Sequence, residues 1–117
     1  MIEDNTDLSE SLAIRLRGEG YHVVIAQDGM EGLGAIEEID PDLVVLDLGL
    51  PRLSGMKVLQ SIKESYGDLP MPVIVLTGNS DSRMKVRVKG FGVEQMLCKP
   101  VRQKEVAEAI RETLENS

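Results

Sequence analysis

One cysteine, Cys98, stands in 117 residues, so no internal disulfide can form and a reducing cytoplasm is the expected compartment. No apolar run is long enough to cross a bilayer, and the first residues carry no signal-peptide pattern. Positive charge is scarce. Thirteen Lys and Arg against twenty Asp and Glu leave a net charge of −7, which argues against general binding of nucleic acid or anionic membranes. The single histidine, His22, lies in a short β-branched stretch, where a structural or exposed role is commoner than metal ligation. There are no internal repeats and no low-complexity tract. What remains is 42% apolar and 28% charged, a composition and length that support one soluble domain around one core.

The chain is organised around residues 43–51, Leu-Val-Val-Leu-Asp-Leu-Gly-Leu-Pro. A continuous apolar run of this length suits a strand buried on both faces. It ends on Asp47, at the edge where open α/β sheets bind ligands. The competing explanation is a turn or helix-capping Asp. Ahead of it, Met1-Ile2 lead into Glu3-Asp4, two adjacent acids that form either a solvated turn, the commoner case, or half of a cation site.

Asn5 or Thr6 can cap a first helix whose stripe is Leu8, Leu12, Ala13 and Leu16, closed by Gly18 and Gly20. Residues 21–26 read as a short strand. Asp28-Gly29 opens a second helix with Met30, Leu33, Ile36 and Ile39 on one face. Gly32 and Gly34 each weaken it by about 1 kcal/mol relative to Ala. Residues 40–42 break it and launch the strand that ends on Asp47. Ser54-Gly55 starts a third helix with Met56, Leu59 and Ile62 inward. Residues 73–76 form a second buried strand, ending on Thr77-Gly78-Asn79. Residues 80–91 fit either period, and the alternation of the rest favours a helix; the basic residues 83–89 there read first as a solvated face. Residues 95–98 form a short strand with Cys98 as a small core residue, ending on Lys99-Pro100. Residues 103–116 make the last helix, with Val106, Ala109, Ile110 and Leu114 inward.

This alternation requires parallel strands with right-handed crossovers, hence a three-layer α/β sandwich. All strand C-termini then lie on one edge, so Glu3-Asp4, Asp47, Thr77 and Lys99 converge. Three carboxylates offset by one lysine repel unless a cation enters, and hard oxygens with room for water suit Mg²⁺. A carboxylate beside Mg²⁺ and Lys is a nucleophile placed for phosphoryl transfer. Lys99 and the Thr77 hydroxyl would then face the phosphoryl oxygens.

Glu3-Asp4-Asn5, Leu46-Asp47 with Pro51 and Gly55, Leu76-Thr77-Gly78 and Cys98-Lys99-Pro100 resemble, in order, the motifs of a bacterial two-component response-regulator receiver domain. The resemblance spans nearly the whole chain. It implies a CheY-like, flavodoxin-like doubly wound parallel sheet of strand order 2-1-3-4-5, with residues 1–117 as a single receiver domain and no output domain. It implies that Asp47 accepts a phosphoryl group from a histidine kinase or histidine phosphotransfer protein. Glu3, Asp4, Asp47 and the Gly49 carbonyl would bind Mg²⁺, Thr77 and Lys99 would meet the phosphoryl group, and Asn79 would lie near attacking water. It further implies a cis Lys99-Pro100 bond. The domain would be a signalling module rather than an enzyme acting beyond its own phosphorylation and dephosphorylation. Its output partner would dock on the face around residues 83–110.

Three departures stand out. The family carries an apolar strand of about five residues before the acid pair, whereas here only Met1-Ile2 remain. That strand is central in the implied order, so its loss leaves a gap with unpaired backbone groups. Either the chain starts late, the favoured explanation, or another chain fills the slot as an exchanged strand or homodimer. Met96 stands where the family usually has an aromatic, so an aromatic switch cannot be claimed. Ser54 replaces a frequent Asp, with little effect expected because either caps a helix. Two other functions compete. One is a receiver fold that docks partners without phosphorylation. The other is a Mg²⁺-dependent hydrolase with Asp47 as nucleophile, weakened because Gly49 stands where a second acid would be needed.

Overall fold

The computed structural model describes residues 1–3, 5–50, 53–78 and 82–116. Among them the order is α1 (Thr6–Gly18), α2 (Gly29–Ile39), β1 (Val44–Asp47), α3 (Gly55–Tyr66), β2 (Val73–Thr77), α4 (Ser82–Lys89), β3 (Gln95–Cys98) and α5 (Gln103–Glu115). The strands pair in parallel in the order β1-β2-β3, with Val44 opposite Val73 and Ile74 opposite Gln95. Every residue of β1 and β2 is buried, as expected of strands covered on both faces.

Side chains alternate across that sheet. Val45, Ile74 and Leu76 point to one face, against Leu12 and Leu16 of α1 and Val106 and Ile110 of α5. Val44, Leu46, Val73 and Val75 point to the other, against Ile36 of α2 and Val58, Leu59 and Ile62 of α3. The result is a three-layer sandwich. Side chains of Asn5, Asp28 and Ser54 cap α1, α2 and α3 by accepting from Leu8, Glu31 and Lys57 N–H, which satisfies N–H groups that helix starts leave open. Ser54 therefore fills the capping role expected of it.

Beyond β1 the sheet continues through Met1 to Glu3. Ile2 donates to the Val45 carbonyl at 2.8 Å and accepts from Asp47 N–H at 3.0 Å, while Glu3 donates to the Ala26 carbonyl at 2.9 Å. Ile2 thus bridges Leu46 on one side and Ala26 on the other. The order 2-1-3-4-5 is realised, with its first two positions reduced to single bridges. Below those bridges lies the expected gap, a cavity of about 460 Å³.

Several expectations are corrected. Residues 21–25 form no strand, and only Ala26 joins a bridge; with the neighbouring strand shortened, no ladder is there to hold them. In α2 the inward face is Gly29, Gly32 and Ile36, whereas Met30 and Ile39 are exposed. A Cβ on Gly32 would lie 2.5 Å from Ile2 Cδ1, so this helix face is where the backbone comes close to the sheet. Cys98 is exposed rather than core, because it ends an edge strand that has only β2 beside it. His22 is exposed, and Lys99-Pro100 is cis.

Candidate functional site

The parallel register sets the C-terminal ends of the strands side by side. Asp47 pairs with Leu76 and Thr77 with Cys98, and Lys99 N–H donates to the Thr77 carbonyl at 2.7 Å. Glu3 follows directly on the Ile2 bridge and is fully buried, so the solvated-turn explanation fails for it. Asp47 and Thr77 are also buried. Lys99 Nζ lies 2.9 Å from Glu3 Oε1 and 2.9 Å from Asp47 Oδ2. One half-buried ammonium thus holds two carboxylates that sit 44 positions apart in the chain.

The other Asp47 oxygen, Oδ1, accepts from Gly49 N–H at 3.0 Å. The turn that supplies this donor is clamped from behind, since Gly55 N–H donates to the Leu48 carbonyl at 3.1 Å. A Cβ on Gly55 would fall 2.6 Å from Leu48 Cα and 2.7 Å from the Asp47 carbonyl. Gly55 is therefore required by the close approach of α3 to the site. Sequence reasoning used it only as a motif glycine and a helix start. Asp4, Pro51 and Asn79 lie outside the described residues.

Electrostatics follow from burial and sharing. Burial, aided by a hydrogen bond to Asp47, pushes the Glu3 carboxyl up from 4.5 to about 7. Burial would also raise Asp47, but hydrogen bonds from Glu3, the Gly49 N–H and Lys99 outweigh it and lower its pKa. Burial would lower Lys99, but its bonds to Glu3 and Asp47 raise it. Of the two carboxyls that share a hydrogen bond, Glu3 is thus the one that keeps a proton more readily and Asp47 the one that ionises more readily, with Lys99 beside both. When both carboxyls are ionised, Glu3 and Asp47 carry more negative charge than Lys99 alone neutralises, and that buried excess is the condition under which hard oxygen donors take up a divalent cation.

A doubly wound parallel sheet with acids and a lysine meeting at its C-terminal edge defines the CheY-like class of α/β folds. Residues 1–111 match the response regulator receiver domain family, and the chain belongs to it. The chain is 34% identical over 114 residues to the DNA-binding response regulator MtrA of Mycobacterium tuberculosis, a match that covers 97% of this chain and 49% of that protein. It is 40% identical over 100 residues to the transcriptional regulatory protein KdpE of the same species, covering 86% and 43%. It thus spans about half the length of the curated relatives it matches. Among solved structures, a CheY-like receiver domain protein from Methanospirillum hungatei superposes with a TM-score of 0.88 at 30% identity, covering 98% of this chain and 90% of that one. The protein is thus a receiver domain of two-component systems, a signalling family whose general function is to be phosphorylated by histidine kinases. No described helix is long and apolar enough to cross a membrane.

Proposed function

We propose that Asp47 is the phosphoacceptor of this domain. The observation that carries the reading is the position of its buried carboxylate, ionised at the strand tip with Lys99 Nζ at 2.9 Å. In the transfer, an Asp47 oxygen attacks the phosphorus of a partner's phosphohistidine. The phosphorus–nitrogen bond breaks, and its electron pair returns to the imidazole, leaving an aspartyl phosphate. Lys99 moves from the carboxylate to the phosphoryl oxygens, and Thr77, next along the neighbouring strand, offers its hydroxyl to another.

Glu3, Asp47, Asp4 and the Gly49 carbonyl are the ligands proposed for Mg²⁺. Once bound, the ion supplies positive charge that offsets the phosphoryl oxygens and favours the in-line transfer. Phosphorylation adds about −1.5 to −2 charge and redistributes a two-state surface around residues 83–110, where α4 carries Arg83, Lys85, Arg87 and Lys89. That face is the proposed docking site for an output partner, and a histidine kinase or phosphotransfer protein is the phosphodonor. The test is labelling by a small phosphodonor in Mg²⁺. Asp47→Asn is expected to abolish it, and equal labelling of the variant would overturn the assignment.

A further inference from the structure

The connection that carries Gly49 is held from two sides. Gly55 closes one of them, against Leu48 and the Asp47 carbonyl. Gly29, the first residue of α2, closes the other. A Cβ built on Gly29 would overlap the Leu53 carbonyl oxygen and lie 2.8 Å from Leu53 Cβ and 2.9 Å from Val58 Cγ2. Leu53 belongs to the connection between β1 and α3, one residue before the Ser54 cap. The start of α2 therefore rests on the main chain of that connection, at a separation that leaves no room for a side chain. Gly29 itself is helical, so the requirement is one of space and not of backbone conformation.

The α2 side of this contact is the firmer one. Asp28, itself buried, fixes the first turn by accepting from Glu31 N–H at 2.9 Å. Gly32 and Ile36 are buried further along the same face, and Ile36 packs in the cluster that holds Leu46, Val58 and Leu59. Drawing α2 back would open that cluster. The turn at Gly49, by contrast, is exposed and is tied to Asp47 by one hydrogen bond. Bulk added at Gly29 therefore displaces the connection before it displaces the helix.

We propose that Gly29 is a positioning residue for the phosphoacceptor site, setting the β1–α3 connection and through it the place of Gly49 relative to Asp47. Gly49 acts twice there. Its N–H donates to Asp47 Oδ1 at 3.0 Å. Its carbonyl is one of the ligands proposed above for Mg²⁺, and for the metal the inference rests on that reading. Mg²⁺ demands near-ideal octahedral geometry. Carboxylate side chains can turn to follow an ion, whereas a backbone carbonyl moves only with its own turn.

Gly34 supplies a matched control, because it lies on the same helix and a Cβ there meets nothing within 4 Å. The experiment compares Gly29→Ala with Gly34→Ala in the 117-residue chain. Amide exchange at Gly49 is read without metal. Affinity is read by calorimetric titration with Mg²⁺ alone, without a phosphodonor. Gly29→Ala should speed Gly49 exchange about fivefold or more, as the loss of one hydrogen bond does. It should weaken Mg²⁺ about tenfold or more, as the loss of a supporting contact does. Gly34→Ala should change neither. Val106→Ala, at a fully buried position on the opposite face of the sheet, lowers stability and should also change neither while the chain stays folded. Leu53→Gly removes the same contact from the loop side without adding bulk and should move both readouts in the same direction; it decides the matter if Gly29→Ala does not fold. Unchanged Gly49 exchange in these two loop-contact variants, or equal effects in either control, would overturn the proposal. A wild type that takes up no Mg²⁺ would overturn the metal reading, and the Gly49 exchange rates would still decide the role of Gly29.

Discussion

Glu3→Gln separates the electrostatics of the site from its shape. The amide can donate to Asp47 and accept from Lys99, as the protonated carboxyl does, but it cannot ionise. In the wild type the folded-state pKa is raised from 4.5 to about 7 by burial and the Asp47 hydrogen bond. A raised pKa means the folded state holds the proton longer than the unfolded state. Its stabilising effect is complete below pH 4.5 and is lost as pH climbs through 7. At about 1.4 kcal/mol per pH unit over that span, the loss amounts to about 3 kcal/mol. The Met1 amine works the other way, because burial lowers it from 8.0 to about 6 and stability rises across that window. Both proteins share that amine, so it cancels in their difference. Urea denaturation in Mg²⁺-free buffer from acid to neutral pH measures both curves. Wild-type stability should fall relative to Glu3→Gln as pH rises, by about 3 kcal/mol in all. Parallel curves would refute a buried proton on Glu3.

Mg²⁺ competes with that proton, so it should raise the unfolding midpoint more at pH 7.5 than at pH 5, and chelation should reverse the gain. Equal effects at both values would argue against a site that includes Glu3. Gly55→Ala drives a methyl against Leu48 Cα and the Asp47 carbonyl; a loss of about 1–3 kcal/mol and reduced Asp47 labelling are expected by denaturation and phosphodonor assays. Leu59→Ala empties a fully buried position on α3 and should cost about 2–5 kcal/mol in the same denaturation assay. Cys98 should react fully with a thiol reagent in the native state, at a rate that denaturant does not greatly increase; protection until unfolding would contradict its exposure on β3.

The elements were legible where the local pattern carries a physical demand. The apolar runs at Val44–Asp47 and Val73–Thr77 had to be buried strands, and the caps at Asn5, Asp28 and Ser54 marked helix starts within a residue. Parallel strands then forced their tips to one edge, which brought Glu3, Asp47 and Lys99 into one neighbourhood before any coordinates. Residues 21–26 failed as a strand because β-branched composition measures fitness for a sheet, while a strand exists only if a neighbour offers a ladder. Cys98 failed as core because composition cannot tell an edge strand from a central one.

By itself, the order of the residues determined the layering, the parallel sheet and the identity of the acidic edge, since periodicity and strand direction are local properties that propagate along a chain. Only the tertiary structure decided that Glu3 is fully buried against Lys99 and that Gly32 and Gly55 are points of closest approach. Those depend on distances between segments far apart in the chain, here Glu3 to Lys99 and Ile2 to Gly32, and no run of neighbouring residues encodes such a distance.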